Sequence, residues 1–154
     1  MSPSLTELQG DFMYDPGSGI ILQAGHVAGY TMGSGYRLLS FKKKRLYAHR
    51  VAWCLMTGAW PSDEIDHKNG IKDDNRWCNL REANRKENAR NQGLRSDSVS
   101  GFKGVLFHQK VGRWRAVIET DGGHIHLGYF PSPESASEAY KSAATVHFKE
   151  FARV

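Results

Sequence analysis

The sequence holds few cysteines. Cys54 and Cys78 stand far apart, and neither belongs to a Cys-x-x-Cys pair, so a four-thiolate zinc staple is excluded and no structural zinc is expected. Nowhere does the chain sustain the roughly 20 apolar residues that cross a bilayer, which sets aside a membrane partner. The opening stretch MSPSLTELQGDFMYD lacks a basic residue leading into an apolar run, so it does not read as a secretory signal, and a cytoplasmic setting is the expectation. No internal repeat is evident. What is present is a globular balance, 40% hydrophobic and 24% charged residues, with 21 Lys+Arg against 16 Asp+Glu over 154 residues. The resulting charge of +5 favours a polyanionic partner without identifying one.

The first ninety residues alternate between strand and helix signals. An Asp15-Pro16-Gly17-Ser18-Gly19 turn cluster separates an aromatic stretch from an apolar one, as in a hairpin. Tyr36, Leu38, Leu39 and Phe41 precede the basic run Lys42–Arg45, which predicts a second hairpin with a charged tip. Tyr47–Thr57 carries apolar residues at helical spacing before Gly58 and Pro61, and Trp53, Met56 and Trp60 read as core. Residues 93–100, rich in Ser and Gly, read as a linker between a domain at 1–92 and another at 101–154.

Glu64–Asn91 carries the densest chemistry: Asp66-His67-Lys68-Asn69-Gly70, Asp74-Asn75-Arg76, Asn79-Leu80-Arg81, then Asn88. The order of these residues resembles that of the HNH endonuclease family, which implies hydrolysis of a phosphodiester, a reaction that needs a base for water and a cation for the developing charge. Histidine, with an ordinary pKa near 6.5, suits the first task. The oxygens of Asp66 and Asn88 suit a hard ion, magnesium or manganese, better than zinc. Adjacent strand residues face opposite ways, so Asp66 and His67 should divide these tasks.

Within that family the residues resemble the phage and intron homing branch whose final histidine is replaced by Asn. The likeness covers about Asp11 to Gln92, with Tyr14-Asp15-Pro16, Gly19 and His49-Arg50 upstream. It implies a ribbon-and-helix metal nuclease fold, metal ligation by Asp66 and Asn88, and water activation by His67. Asn79 takes the middle position, holding the ribbon loop or orienting His67, with Asn75 as the competing choice and otherwise a turn stabiliser. Asn84 competes with Asn88. His49 is expected to pack beneath the ribbon as a supporting residue, the alternative being a phosphate contact or a supplementary metal ligand. Arg81, Arg85, Lys86 and Arg90 recur at helical spacings and are expected at phosphates.

Beyond Gly101 three β-prone runs, Phe102–Phe107, Trp114–Thr120 and His124–Phe130, precede a helix capped by Ser132 and opened by Pro133. Gly101–Val105, Gly112–Ala116, Leu127–Phe130 and Glu138–Tyr140 resemble the AP2/ERF DNA-binding domain. That likeness implies a three-stranded antiparallel sheet packed on one helix and docked in a DNA groove. Alternation turns Trp114, Ala116, Ile118, Ile125 and Leu127 inward, and Arg113, Arg115, Glu119, His124 and His126 outward. Lys103 and His108 complete the expected DNA contacts. Leu106, His108, Val117, Glu119 and His126 depart from the plant pattern, so the plant target sequence does not transfer.

The expected protein is an α+β chain: a nuclease domain with β-hairpin strands and a helix ahead of its motif, then the sheet-and-helix reader. It would be a metal-dependent, site-directed endonuclease on double-stranded DNA, a homodimer if both strands are cut. The rivals are a non-catalytic DNA-binding regulator with a decayed nuclease fold, and a zinc-stapled nucleic-acid binder, which the cysteine count disfavours.

Overall fold

A reciprocal cap starts the chain's first helix in the computed structural model, which describes residues 2–94 and 98–152. The Ser4 hydroxyl accepts from the Glu7 N–H, and the Glu7 carboxylate accepts from the Ser4 N–H, opening α1 (Leu5–Asp11). Two small antiparallel sheets follow. β1 (Phe12–Tyr14), β2 (Ile21–Gln23) and β3 (His26–Val27) form one; β4 (Tyr30–Thr31), β5 (Arg37–Phe41) and β6 (Lys44–Tyr47) form the other. Between β1 and β2 the Asp15 carboxylate accepts from the N–H groups of Gly17 and Ser18, closing the turn locally.

α2 (Ala48–Thr57) ends where Gly58 turns left-handed at φ 83° and donates back to the Cys54 carbonyl. Its inner face buries Val51, Ala52 and Cys54 against Leu8, Phe12, Ile21, Leu39, Phe41, Ile65 and Leu80. Full burial of one such aliphatic side chain stabilises the fold by about 1.5–3 kcal/mol. Trp53 and Trp60 pack against this core, but Met56, expected there, is exposed because it falls on the outer face of α2. Across this core lies an antiparallel ribbon of β7 (Glu64–His67) and β8 (Leu80–Ala83), in register Glu64↔Ala83 and Asp66↔Arg81. α3 (Arg85–Asn91) follows directly. Arg81 therefore sits on a strand and not on the helix that its spacing to Arg85 suggested.

The chain divides into two compact units, 1–88 and 89–154, the division falling within α3. The expected linker, 93–100, lies downstream of that point, and its residues 95–97 are outside the described residues. In the second unit β9 (Val105–His108), β10 (Arg113–Thr120) and β11 (Gly123–Phe130) form an antiparallel sheet with β10 central. α4 (Pro133–Phe148) starts at Ser132, whose hydroxyl accepts from the Ser135 N–H. Two apolar clusters join sheet to helix: Val105 and Ala116 with Ala136, and Ile118 with Tyr140, Ala144 and Phe148.

Trp114, Ala116 and Ile118 face the helix, and the pairings Glu119↔His124, Val117↔His126 and Arg115↔Tyr129 set the outer face. Ala116 pairs with Gly128 and Val117 with His126, so Leu127 is an extra residue in a β-bulge. Leu127 packs against both clusters. Simple alternation puts Ile125 opposite Ile118, but Ile125, expected in the core, is exposed near the end of the sheet and joins neither cluster; beyond residue 127 the bulge puts Tyr129 opposite Arg115 and Phe130 opposite Trp114. Among the described residues no helix is long and apolar enough to cross a membrane.

Candidate active site

The last residue of β7, His67, is 3% exposed, and its Nε2 lies 3.1 Å from Asn75 Oδ1. The Asn75 amide nitrogen donates to the Asp73 carbonyl, which orients the amide with Oδ1 toward the imidazole. An amide oxygen only accepts, so Nε2 carries the proton and the basic lone pair falls on Nδ1. Burial pushes the His67 pKa below its ordinary value, opposed by the Asn75 bond and by the carboxylates of Asp66, Asp74 and Asp73. The histidine is thus held in its neutral, proton-accepting form.

His49, on α2, stands edge-on to His67 with ring centroids 5.1 Å apart, and Tyr36 packs on both. Only 6% of His49 is exposed, and its Nδ1 finds no hydrogen-bond partner among the described residues. Burial first, then the proximity of His67 and Arg50, lowers its pKa to about 3.

On the other side of β7 the Asp66 carboxylate is buried against Arg81, whose Nε and terminal nitrogen reach Oδ2 at 2.8 and 2.7 Å. Arg81 is 7% exposed. Its expected place at a phosphate gives way to this ion pair, because cross-strand pairing sets the two side chains directly opposite each other. Two residues before Asp66, on the same strand face, Glu64 accepts from the side-chain amide of Asn88. Glu64 and Asn88 line an open cleft of about 270 Å³ together with Tyr36, Tyr47, His49, Arg50 and Ile65. Glu64 escaped the sequence reading, although its two-residue offset from Asp66 was a usable signal.

The loop between the strands is braced from both sides. Asn79 accepts from the Asn69 N–H and donates to the Asp74 carbonyl, at 3.0 and 2.7 Å. Its contacts are with the loop, and the asparagine touching His67 is Asn75. From outside, the Tyr14 hydroxyl donates to the Asn75 carbonyl at 2.7 Å, and the Trp77 N–H donates to the Pro16 carbonyl. Gly19, at φ 75°, lies so close that a Cβ would come within 2.5 Å of the Asn75 carbonyl carbon. The Asp15–Gly19 turn is therefore a buttress for the residue that orients His67. Arg76 holds the Asp74 carboxyl down to about 2.

The other expected site residues divide. Arg85 and Lys86 are exposed, as are Arg113, Glu119, His124 and His126. On the outer sheet face Tyr129 packs between His108 and His126, with ring centroids 5.3 and 4.7 Å away. Beside it Arg115 has an Nε with no hydrogen-bond partner among the described residues. Lys103 and Arg90 depart from expectation. The Lys103 ammonium donates to the carbonyls of Arg90 and Gln92, capping the end of α3, while Arg90 pairs with Asp121 at 2.9 Å and stacks on Phe148.

The site thus consists of a strand-ending histidine tied by an asparagine in the ribbon loop, with a helix following. Residues 46–90 match the family described as HNH endonuclease. Among solved structures the chain is similar to one described as "DNA binding and cleavage by the HNH homing endonuclease I-HmuI". That similarity runs at 22% identity and a TM-score of 0.44, over 90% of this chain and 82% of that one. Over 53 residues, 34% of the chain, it is 40% identical to AP2-like ethylene-responsive transcription factor TOE2 of Arabidopsis thaliana. The same figures hold for APETALA2-like protein 2 of Oryza sativa subsp. indica. The chain spans only 11% and 12% of the length of these two relatives.

Proposed function

We propose that the chain hydrolyses DNA phosphodiesters with a divalent cation, leaving 5′-phosphate and 3′-hydroxyl ends. The observation that carries this reading is the His67–Asn75 contact at 3.1 Å, which holds the imidazole at the end of the ribbon with Nε2 turned to the amide oxygen. His67 takes the proton from the attacking water, and Asn75 keeps the imidazole in the tautomer that can do so.

The donor set fits a hard cation. Asp66 and Asn88 would hold it through oxygens, and Glu64 accepts from the Asn88 amide nitrogen, which leaves the amide carbonyl oxygen as the atom that would meet an ion. Among the described residues no three His, Cys, Asp or Glu side chains gather into a preformed cage, so water would supply the remaining ligands. Magnesium or manganese would supply charge for the leaving oxygen. The Asp66–Arg81 pair is the observation that favours the rival, a protein that binds without cutting, because a guanidinium already answers the carboxylate.

The outer face of the second unit's sheet is proposed as the DNA-reading surface, through His108, Arg113, Arg115, Glu119, His124 and His126, with Tyr129 added. Its support is the register that turns these side chains away from α4.

The test is plasmid cleavage with and without magnesium. The parent should cut only with metal, His67→Ala should bind DNA without cutting, and Asn88→Ala should need about tenfold more metal. Cleavage by His67→Ala at the parental rate refutes the assignment, and tight DNA binding with no metal-dependent cutting by the parent favours the rival.

A further inference from the structure

The hairpin joining β5 to β6 turns at Lys42 and Lys43, whose φ angles are 44° and 66°. With Phe41 paired to Lys44, this is a two-residue connection with both central residues left-handed. Asn-Gly is the pair such a turn favours, since a Cβ crowds the backbone in that region. Lysine at both positions works against the turn, so the hairpin's own stability does not account for these residues. Their charge does. Lys42, Lys43, Lys44 and Arg45 are consecutive and exposed, and the Glu7 carboxylate meets Lys42 at 2.7 Å.

We infer that this tip is a phosphate-binding site for the DNA that the chain cuts, separate from the cleavage centre; the inference rests on the endonuclease reading. A short, two-residue turn holds its cations at a fixed place, and lysine ammonium groups bind the DNA backbone as point charges that set register without reading bases. β6 runs from the tip to Tyr47, which packs on His49, which packs on His67. At about 3.4 Å per residue, Lys43 lies on the order of 14 Å from Tyr47, or about four base pairs of duplex.

The test replaces Lys42→Asn and Lys43→Gly together in the full chain and measures duplex binding over a salt series. Each phosphate contact contributes about 0.9 to the slope of log affinity against log salt, so the variant's slope should be shallower by 1 to 2. Its melting temperature should equal or exceed the parent's, because the new residues suit the turn. Lys43→Gly alone should lose about 0.9 of slope, and Lys43→Arg should keep it. A variant slope equal to the parent's, with a parent that cuts DNA, overturns the tip assignment alone. A parent that binds no duplex overturns this inference and the nuclease reading together.

Discussion

His49 makes the protein's stability depend on acidity in a calculable way. Its pKa falls from 6.5 to about 3 on folding, chiefly because it is buried. A histidine with a depressed folded pKa contributes stability that is complete above the unfolded value and is lost as pH falls toward the folded one. In that window the unfolded chain binds one more proton than the folded chain. The loss is about 1.4 kcal/mol per pH unit, or about 2 kcal/mol between pH 6.5 and 5. His67, shifted in the same direction by burial, adds to the slope. Urea denaturation at closely spaced pH values, for the parent and for His49→Gln, isolates the part due to His49. Glutamine is neutral throughout, so the variant should show a slope smaller by nearly one proton. Superimposable slopes for the two proteins would refute the claim that His49 is buried uncharged.

Two further changes probe the two units separately. Arg81→Met leaves the Asp66 carboxylate buried opposite a thioether, and breaking such a pair costs about 3–5 kcal/mol in urea denaturation; adding Asp66→Asn should recover a large part, and a loss under about 1 kcal/mol would contradict the burial. Gly104→Ala would set a Cβ 2.3 Å from the Tyr140 ring at φ 69°, so thermal melting should register a loss of about 2–4 kcal/mol, whereas an unchanged melt would mean that the contact is absent.

The sequence made the strands and the longer helices legible because burial imposes a period on them. The second unit was the clearest case: Trp114, Ala116 and Ile118 alternate toward α4, and Ser132-Pro133 marks its start. α1 was missed although Ser4 and Glu7 spell a capping box, since its seven residues bury little. Asp66 and His67 were legible as chemistry. Their neighbours were less so. Arg81, Arg85 and Arg90 mimic a helical stripe, yet the first lies on a strand and the last pairs with Asp121, contacts that depend on chain segments brought together by folding. Asn75 and Asn79 share one loop, and only the loop's path decides which reaches the imidazole.

The insertion at Leu127 separates two jobs that a regular strand would have to share. Removing that one residue would restore an uninterrupted ladder with His124, His126 and Tyr129 still pointing away from α4, while taking out the wedge that touches both apolar clusters. Mechanical rigidity and surface chemistry in this unit can therefore vary independently, and a lineage could retune one without redrawing the other.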